Sequence, residues 1–273
     1  FIGDVAGMGA EVDTVAVGDR VAVRPILTCG SCQECLLGRP NHGLDMTALG
    51  IHLDGGLAEL AVVPASACIP ISTDIPAEIA ALTEPLACVY NASRKARLVP
   101  GDDVVIFGGG AIGLLFLAMC KEAGAADVVV VEPLRMRADV AGRMGAATVD
   151  PSDGNVVASV AALMPAGPQV VVDAVGTQLG NAVAVAGTAA RVILFGQSEH
   201  ADTVVHQVDI TKKELTIIGS YVGQEVFPAA VELLGSGRLD LSPIISHTGS
   251  LDDLEDLVAA SREGKVVKAV ILP

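Results

Sequence analysis

The sequence predicts an α/β protein in which a doubly wound parallel sheet is flanked, before and after, by segments of a second, β-rich domain. Three observations carry this. After Pro100-Gly101, short β-branched strands alternate with helical stretches over more than a hundred residues, the pattern of a sheet whose strands are joined by helices. Those strands are continuous apolar runs, as expected when both sheet faces are covered. One of them, Val104-Val-Ile-Phe107, runs directly into Gly108-x-Gly110-x-x-Gly113.

The elements follow in order. Residues 1 to about 75 read as short β segments: Phe1-Ile-Gly-Asp-Val5, Val21-Ala-Val23 and Leu57 to Val63, with Asp54-Gly-Gly56 as the turn before the last. From Asp74 the pattern is helical, with Pro76 at a first-turn position and Ile79, Leu82 and Leu86 on one face. Strands are then expected at 103–107, 127–132, 147–150, 169–173, 190–195 and 214–219, with helices between them, including Arg135 to Gly145 and Gln178 to Ala186. The tail reads as an amphipathic helix, Leu251 to Arg262, and a terminal strand, Val266 to Leu272.

Bulk properties bound the function. The 273 residues suggest about two domains, at roughly 150 residues each. Apolar residues at 51% and charged ones at 18% favour a buried globular core. A net charge of −15 argues against a nucleic-acid partner, which needs a basic face. No basic segment followed by a short apolar one opens the chain, so the cytoplasm is the expected compartment. Val104 to Cys120 is uncharged, but glycines interrupt it and a membrane span needs ~20 residues.

The glycine run carries the first chemistry. Gly108 allows the strand-to-helix turn, Gly110 lets a pyrophosphate approach bare backbone, and Gly113 lets the helix pack closely on the sheet. Ala111 and Ile112 complete that loop, and the phosphates would lie at the helix N-terminus. The next strand ends in Glu132, 19 residues after Gly113. A carboxylate there accepts hydrogen bonds from adenosine ribose hydroxyls and repels a 2′-phosphate, so NAD is expected over NADP.

Cys29, Cys32 and Cys35 form Cys-x-x-Cys-x-x-Cys in a glycine-rich polar loop. Thiolates so spaced can occupy adjacent corners of a tetrahedron around zinc. A fourth ligand is not obvious: Gly43 offers none, and His42 and Asp45 are the nearby candidates. A disulfide is the alternative, disfavoured in a reducing compartment. Cys68, Cys88 and Cys120 lie in apolar surroundings and read as core residues, and His52, before a turn, reads as solvated. In Glu84-Pro85-Leu86-Ala87, an acid at a helix start suits the helix dipole, but the segment sits 24 residues before Gly108, just before the cofactor domain, where a carboxylate could instead face a cleft between domains.

These segments together resemble the zinc-dependent medium-chain dehydrogenases, in the branch of threonine dehydrogenase and the sorbitol-type polyol dehydrogenases. The resemblance rests on Val17-Gly-Asp-Arg-Val21, the Cys29–Cys35 lobe, Asp54-Gly-Gly-Leu-Ala-Glu59, Thr83-Glu-Pro-Leu-Ala87, Gly108–Gly113, Lys213-Glu-Leu-Thr-Ile-Ile-Gly-Ser220 and Lys265-Val-Val-Lys-Ala-Val270. It implies a Rossmann NAD-binding domain over 88–225 and a GroES-like catalytic domain over 1–87 and 226–273. It further implies that Glu84 helps form a catalytic zinc site, that Glu132 binds ribose, and that Arg137 lies near the adenosine. Gly176 and Phe195-Gly196-Gln197 would line the nicotinamide pocket.

Two departures are visible. A fourth lobe cysteine is expected where Gly43 stands, and the family's zinc-binding cysteine and Gly-His-Glu segment would precede Phe1, so the GroES-like domain is expected to be N-terminally incomplete. The implied activity is zinc-dependent hydride transfer to NAD from a secondary alcohol, whether a polyol, a sugar alcohol or a hydroxy amino acid, by a homo-oligomer without membrane or nucleic-acid partners. The alternatives are a catalytically inactive NAD-binding or interaction protein, and a zinc-independent reductase of the same superfamily.

Overall fold

A computed structural model describes all residues from Phe1 to Pro273. The chain divides into two compact units: Phe1–Tyr90 with Val222–Pro273, and Asn91–Tyr221.

In the first unit, β1 (Ile2–Asp4) and β5 (Cys68–Pro70) flank β2 (Arg20–Val23), both antiparallel to it. Val15, Val21, Val23, Leu49 and Ala67 form the core of this sheet, with Phe1, Val5 and Val63 packed against it. Two very short strands, β3 (Ile26–Leu27) and β4 (Thr47–Ala48), pair antiparallel and close off the loop that carries the clustered cysteines and α1 (Gln33–Leu36).

The strand expected at Leu57–Val63 does not form. The segment Leu57-Ala-Glu-Leu-Ala-Val-Val63 is apolar apart from Glu59, but no neighbour supplies a ladder, and a strand requires one. Residues Leu57 to Val62 are exposed, Val62 being 98% so, and Val63 alone of the segment packs on the core. The helical stretch beginning near Asp74 resolves into α2 (Ala77–Ala80) and α3 (Thr83–Ala96), with Leu82, Leu86 and Val89 fully buried.

The second unit is a six-stranded, wholly parallel sheet. Its strands are β6 (Val104–Phe107), β7 (Val128–Val131), β8 (Ala147–Val149), β9 (Val170–Asp173), β10 (Arg191–Leu194) and β11 (Thr216–Gly219). Across the sheet they run β8-β7-β6-β9-β10-β11. The chain therefore winds outward from β6 in one direction and returns to build the other half from β9. The crevice beyond the carboxyl ends of the strands, where the order reverses, is where such sheets bind ligands. Every residue of β6, β7 and β9 is buried, which explains why they read as unbroken Val and Ile rather than alternating.

Helices α4 (Ala111–Glu122), α5 (Arg135–Arg143), α6 (Val156–Leu163), α7 (Leu179–Val185) and α8 (Gln207–Lys213) connect the strands. At the amino ends of the strands, the buried Asp102 accepts from Arg191 Nη2 at 2.6 Å, and Arg191 Nη1 also donates to the Ala96 carbonyl at 2.8 Å. This ties β10 to the loop leading into β6.

The chain then returns to the first unit with α9 (Phe227–Gly235), the parallel pair β12 (His247–Gly249) and β13 (Ala269–Ile271), and α10 (Leu254–Arg262) packed on that pair. No helix is long and apolar enough to cross a membrane.

Candidate functional site

The glycine loop closes the carboxyl end of β6. Gly108 takes a positive φ of 97° and its N–H donates to the Val131 carbonyl, joining the loop to β7. A Cβ on Gly113 would collide with the Gly108 carbonyl, so only glycine lets α4 approach the strand end this closely. Gly110 caps α4 without a side-chain hydrogen bond. The first-turn amides are thus left for an external anion.

Glu132 follows β7 and is 4% exposed. Its Oε2 accepts from Gly109 N–H at 2.7 Å and its Oε1 from Leu134 N–H at 2.8 Å. The carboxylate therefore fixes the loop as well as facing it, and each oxygen has a further lone pair with which to accept a hydroxyl. Nη1 of Arg137 stands 3.7 Å from the position a Cβ would take on Gly110, placing the guanidinium over the same loop.

The turns after β9 and β10 meet. Gly176 has a φ of 94°, and a Cβ there would press on Gly196 and Gln197; a Cβ on Gly196 would overlap Val175 and the Gly176 amide. Phe195 is anchored by an edge-on contact with Phe116 of α4, at 5.1 Å between ring centres.

Asp173, which the sequence reading passed over, organises the first of these turns. Its Oδ1 accepts from the amides of Val175 and Gly176 at 2.9 and 2.7 Å, and its Oδ2 from Gln178 N–H at 2.8 Å. The available signal was an acid ending an apolar strand just before a glycine turn. The predicted cofactor residues Gly108, Gly110, Ala111, Ile112, Gly113, Glu132, Arg137, Gly176, Phe195, Gly196 and Gln197 all fall in this unit, at or beyond the carboxyl ends of β6, β7, β9 and β10.

In the first unit, Glu84 lies in the first turn of α3 and accepts from the Cys88 thiol, one turn on, at 3.3 Å. Burial, then the charge of Glu84, pushes the Cys88 thiol up. A Cβ on Gly223 would overlap Ala87 and the Cys88 amide, so this glycine packs flat against the helix backbone. Glu84 belongs to no group of three His, Cys, Asp or Glu side chains able to share an ion. The donors present there do not make up a three-ligand metal site of the kind zinc catalysis uses.

One such group exists, and it is Cys29, Cys32 and Cys35, whose sulfurs all lie within 4.8 Å of one another. Neither His42 nor Asp45 joins it. The amides of Ser31 and Cys32 draw the Cys29 thiol down to about 7, while burial and the Cys32 thiol push Cys35 up. All six cysteines are free, so the disulfide alternative is not formed. Burial raises the Cys120 thiol to about 12, as suits an inert core residue.

A cavity of about 830 Å³ lies within the first unit among Phe1, Val5, Leu60, Val62 and Leu272, and no predicted site residue lines it.

Comparison with known proteins agrees with this arrangement. The zinc-binding dehydrogenase family matches residues 111–236, and the alcohol dehydrogenase GroES-like domain matches residues 1–73. L-threonine 3-dehydrogenase of Alteromonas mediterranea is 34% identical over 98% of this chain and 80% of its own length. Among solved structures, a protein from Sinorhizobium meliloti 1021 described as a zinc-binding dehydrogenase and bound to NADP superposes with a TM-score of 0.95, at 32% identity, over 100% of this chain and 82% of that one. An alcohol dehydrogenase from Escherichia coli CFT073 in complex with NADH gives 0.91 at 30% identity, over 99% and 81%. With both family patterns and a relative this similar running nearly the length of the sequence, the chain belongs to the zinc-dependent medium-chain dehydrogenase family.

Proposed function

We propose that this chain is an oxidoreductase that transfers a hydride from a secondary alcohol, a polyol, sugar alcohol or hydroxy amino acid, to NAD. Residues 88–225 would form the cofactor domain, and residues 1–87 with 226–273 the substrate domain. The observation that carries the reading is the Glu132 carboxylate, bonded to the Gly109 amide at the mouth of the glycine loop. When bound, the dinucleotide supplies a nicotinamide ring that takes up the hydride of the alcohol carbon.

The chain's own residues do the rest. The first-turn amides of α4 hold the pyrophosphate, with Gly110 giving it room. Glu132 accepts the ribose hydroxyls and disfavours a 2′-phosphate. Arg137 covers the adenosine side of the loop, and the abutting turns at Gly176 and Gly196 give the ring a flat backbone floor. By resemblance Glu84 would be a zinc ligand, but no group of three donors includes it.

The test is calorimetry with NADH and NADPH, followed by NADH production from a panel of secondary alcohols that includes threonine and 2,3-butanediol. Binding with turnover supports the proposal. Binding without turnover on any alcohol favours the second reading, an NAD-binding protein without catalysis. Failure to bind either dinucleotide rejects both.

A further inference from the structure

The cysteine lobe offers three corners of a tetrahedron and a vacancy at the fourth. Zinc bound to sulfur at about 2.3 Å places tetrahedral sulfurs about 3.8 Å apart. Cys32 Sγ and Cys35 Sγ are 3.5 Å apart, and Cys29 Sγ and Cys35 Sγ 4.0 Å. Those spacings suit a shared ion and are far from the S–S bond of a disulfide, about 2.05 Å. The Cys32 N–H points at Cys29 Sγ from 3.4 Å, the kind of amide donor that steadies a thiolate.

Gly43 stands across from them. A Cβ at this residue would lie 3.3 Å from Cys35 Sγ and 3.8 Å from Cys32 Sγ, so its missing side chain is directed at the cluster. No histidine or carboxylate takes its place, since the ligand group ends at the three cysteines. Cys29 is solvent-exposed, which leaves the cluster reachable from outside.

We propose that Cys29, Cys32 and Cys35 form an open three-thiolate metal site whose fourth position, left empty by Gly43, takes an exchangeable small-molecule thiol. Zinc and cobalt(II) are the ions that three thiolates at tetrahedral spacing suit. Exchange is a ligand substitution without redox: a bound water leaves, the incoming thiol gives its proton to solvent, and its thiolate sulfur completes the shell. The site is therefore metal-exchanging and thiol-responsive, unlike a closed four-cysteine site. This inference does not depend on the dinucleotide reading.

The experiment loads the whole metal-free chain with one equivalent of cobalt(II) and titrates it with 2-mercaptoethanol, reading the visible and thiolate-to-cobalt absorption bands. A tetrahedral spectrum is expected, with a charge-transfer band that grows saturably by about a third as the fourth sulfur arrives. Gly43→Cys should show the full four-thiolate spectrum with no added thiol, ignore the titration, and release metal to a chelator roughly tenfold more slowly. Gly43 has φ −57° and ψ 141°, a conformation open to cysteine. The neighbouring Pro40 carbonyl, 3.1 Å from the new Cβ, must give by a few tenths of an ångström. Cys35→Ser should abolish the bands, which excludes binding elsewhere. Three results would each overturn the proposal: no cobalt bound at the cysteines, a wild-type spectrum indifferent to thiol, or a spectrum altered by His42→Ala or Asp45→Ala.

Discussion

Gly176 and Gly196 come together without side chains between them, each occupying the space that a Cβ on the other would need. The contact joins the turns after β9 and β10 at the carboxyl edge of the sheet. Gly196→Ala is expected to destabilise the chain by about 1–3 kcal/mol, the usual cost of overpacking, and to weaken dinucleotide binding. Chemical denaturation alongside calorimetry checks this; a variant of wild-type stability would show that the turns are free to part.

Glu132 has two tasks. Removing its carboxylate eliminates two amide partners, on Gly109 and Leu134, as well as the charge facing a 2′-phosphate. Glu132→Ala is thus expected to weaken NADH binding more than NADPH binding, narrowing the gap by roughly tenfold, which is ~1.4 kcal/mol. Equal dissociation constants for the two cofactors on the unaltered chain would remove the basis for this assignment.

Asp102 is buried, and Arg191 meets it at 2.6 Å. Arg191→Met leaves a buried carboxylate without its cation and the Ala96 carbonyl without a donor. The expected loss is ~3–5 kcal/mol, read by denaturant unfolding, and cofactor affinity should change little while the fold survives. Arg191→Met together with Asp102→Asn should recover part of the stability.

The thiols should differ in reactivity. With Cys29 drawn down to about 7 and exposed, about half of it is thiolate at neutral pH. Iodoacetamide should therefore alkylate Cys29 of the metal-free chain ahead of Cys88 and Cys120, whose thiols are pushed up by burial. Because a lowered pKa favours the charged form, the rate should fall as pH drops below 7 and level off above it. Peptide mapping after brief labelling gives the order, and preferential labelling of Cys120 would contradict it.

Much of the cofactor unit was legible because its determinants are local. Gly108 to Gly113 and Glu132 are a strand, a turn, a helix and a strand apart, and the Val-rich runs leave little choice of strand. Leu57–Val63 was misread because an apolar run after a turn does not report whether a neighbouring strand exists to pair with. Asp173 was missed although its partners are local, because an acid ending a strand does not by itself reveal that its carboxylate folds back onto the amides of the next turn. The Gly223 contact with Ala87 spans more than a hundred residues, and no spacing rule reaches that far.

The parallel sheet separates its duties by rim. Gly108, Glu132, Asp173 and Phe195 all follow or end strands at one rim, whereas the Asp102–Arg191 clasp holds the loop before β6 to the start of β10 at the other. Substitutions at the first rim can retune which nucleotide is recognised while the clasp keeps the strands in register. Losses at the second can be repaired without disturbing recognition. A parallel sheet thus lets ligand preference and thermal endurance be selected on different residues, so a search for altered cofactor use would do well to begin from a chain already reinforced at the opposite rim.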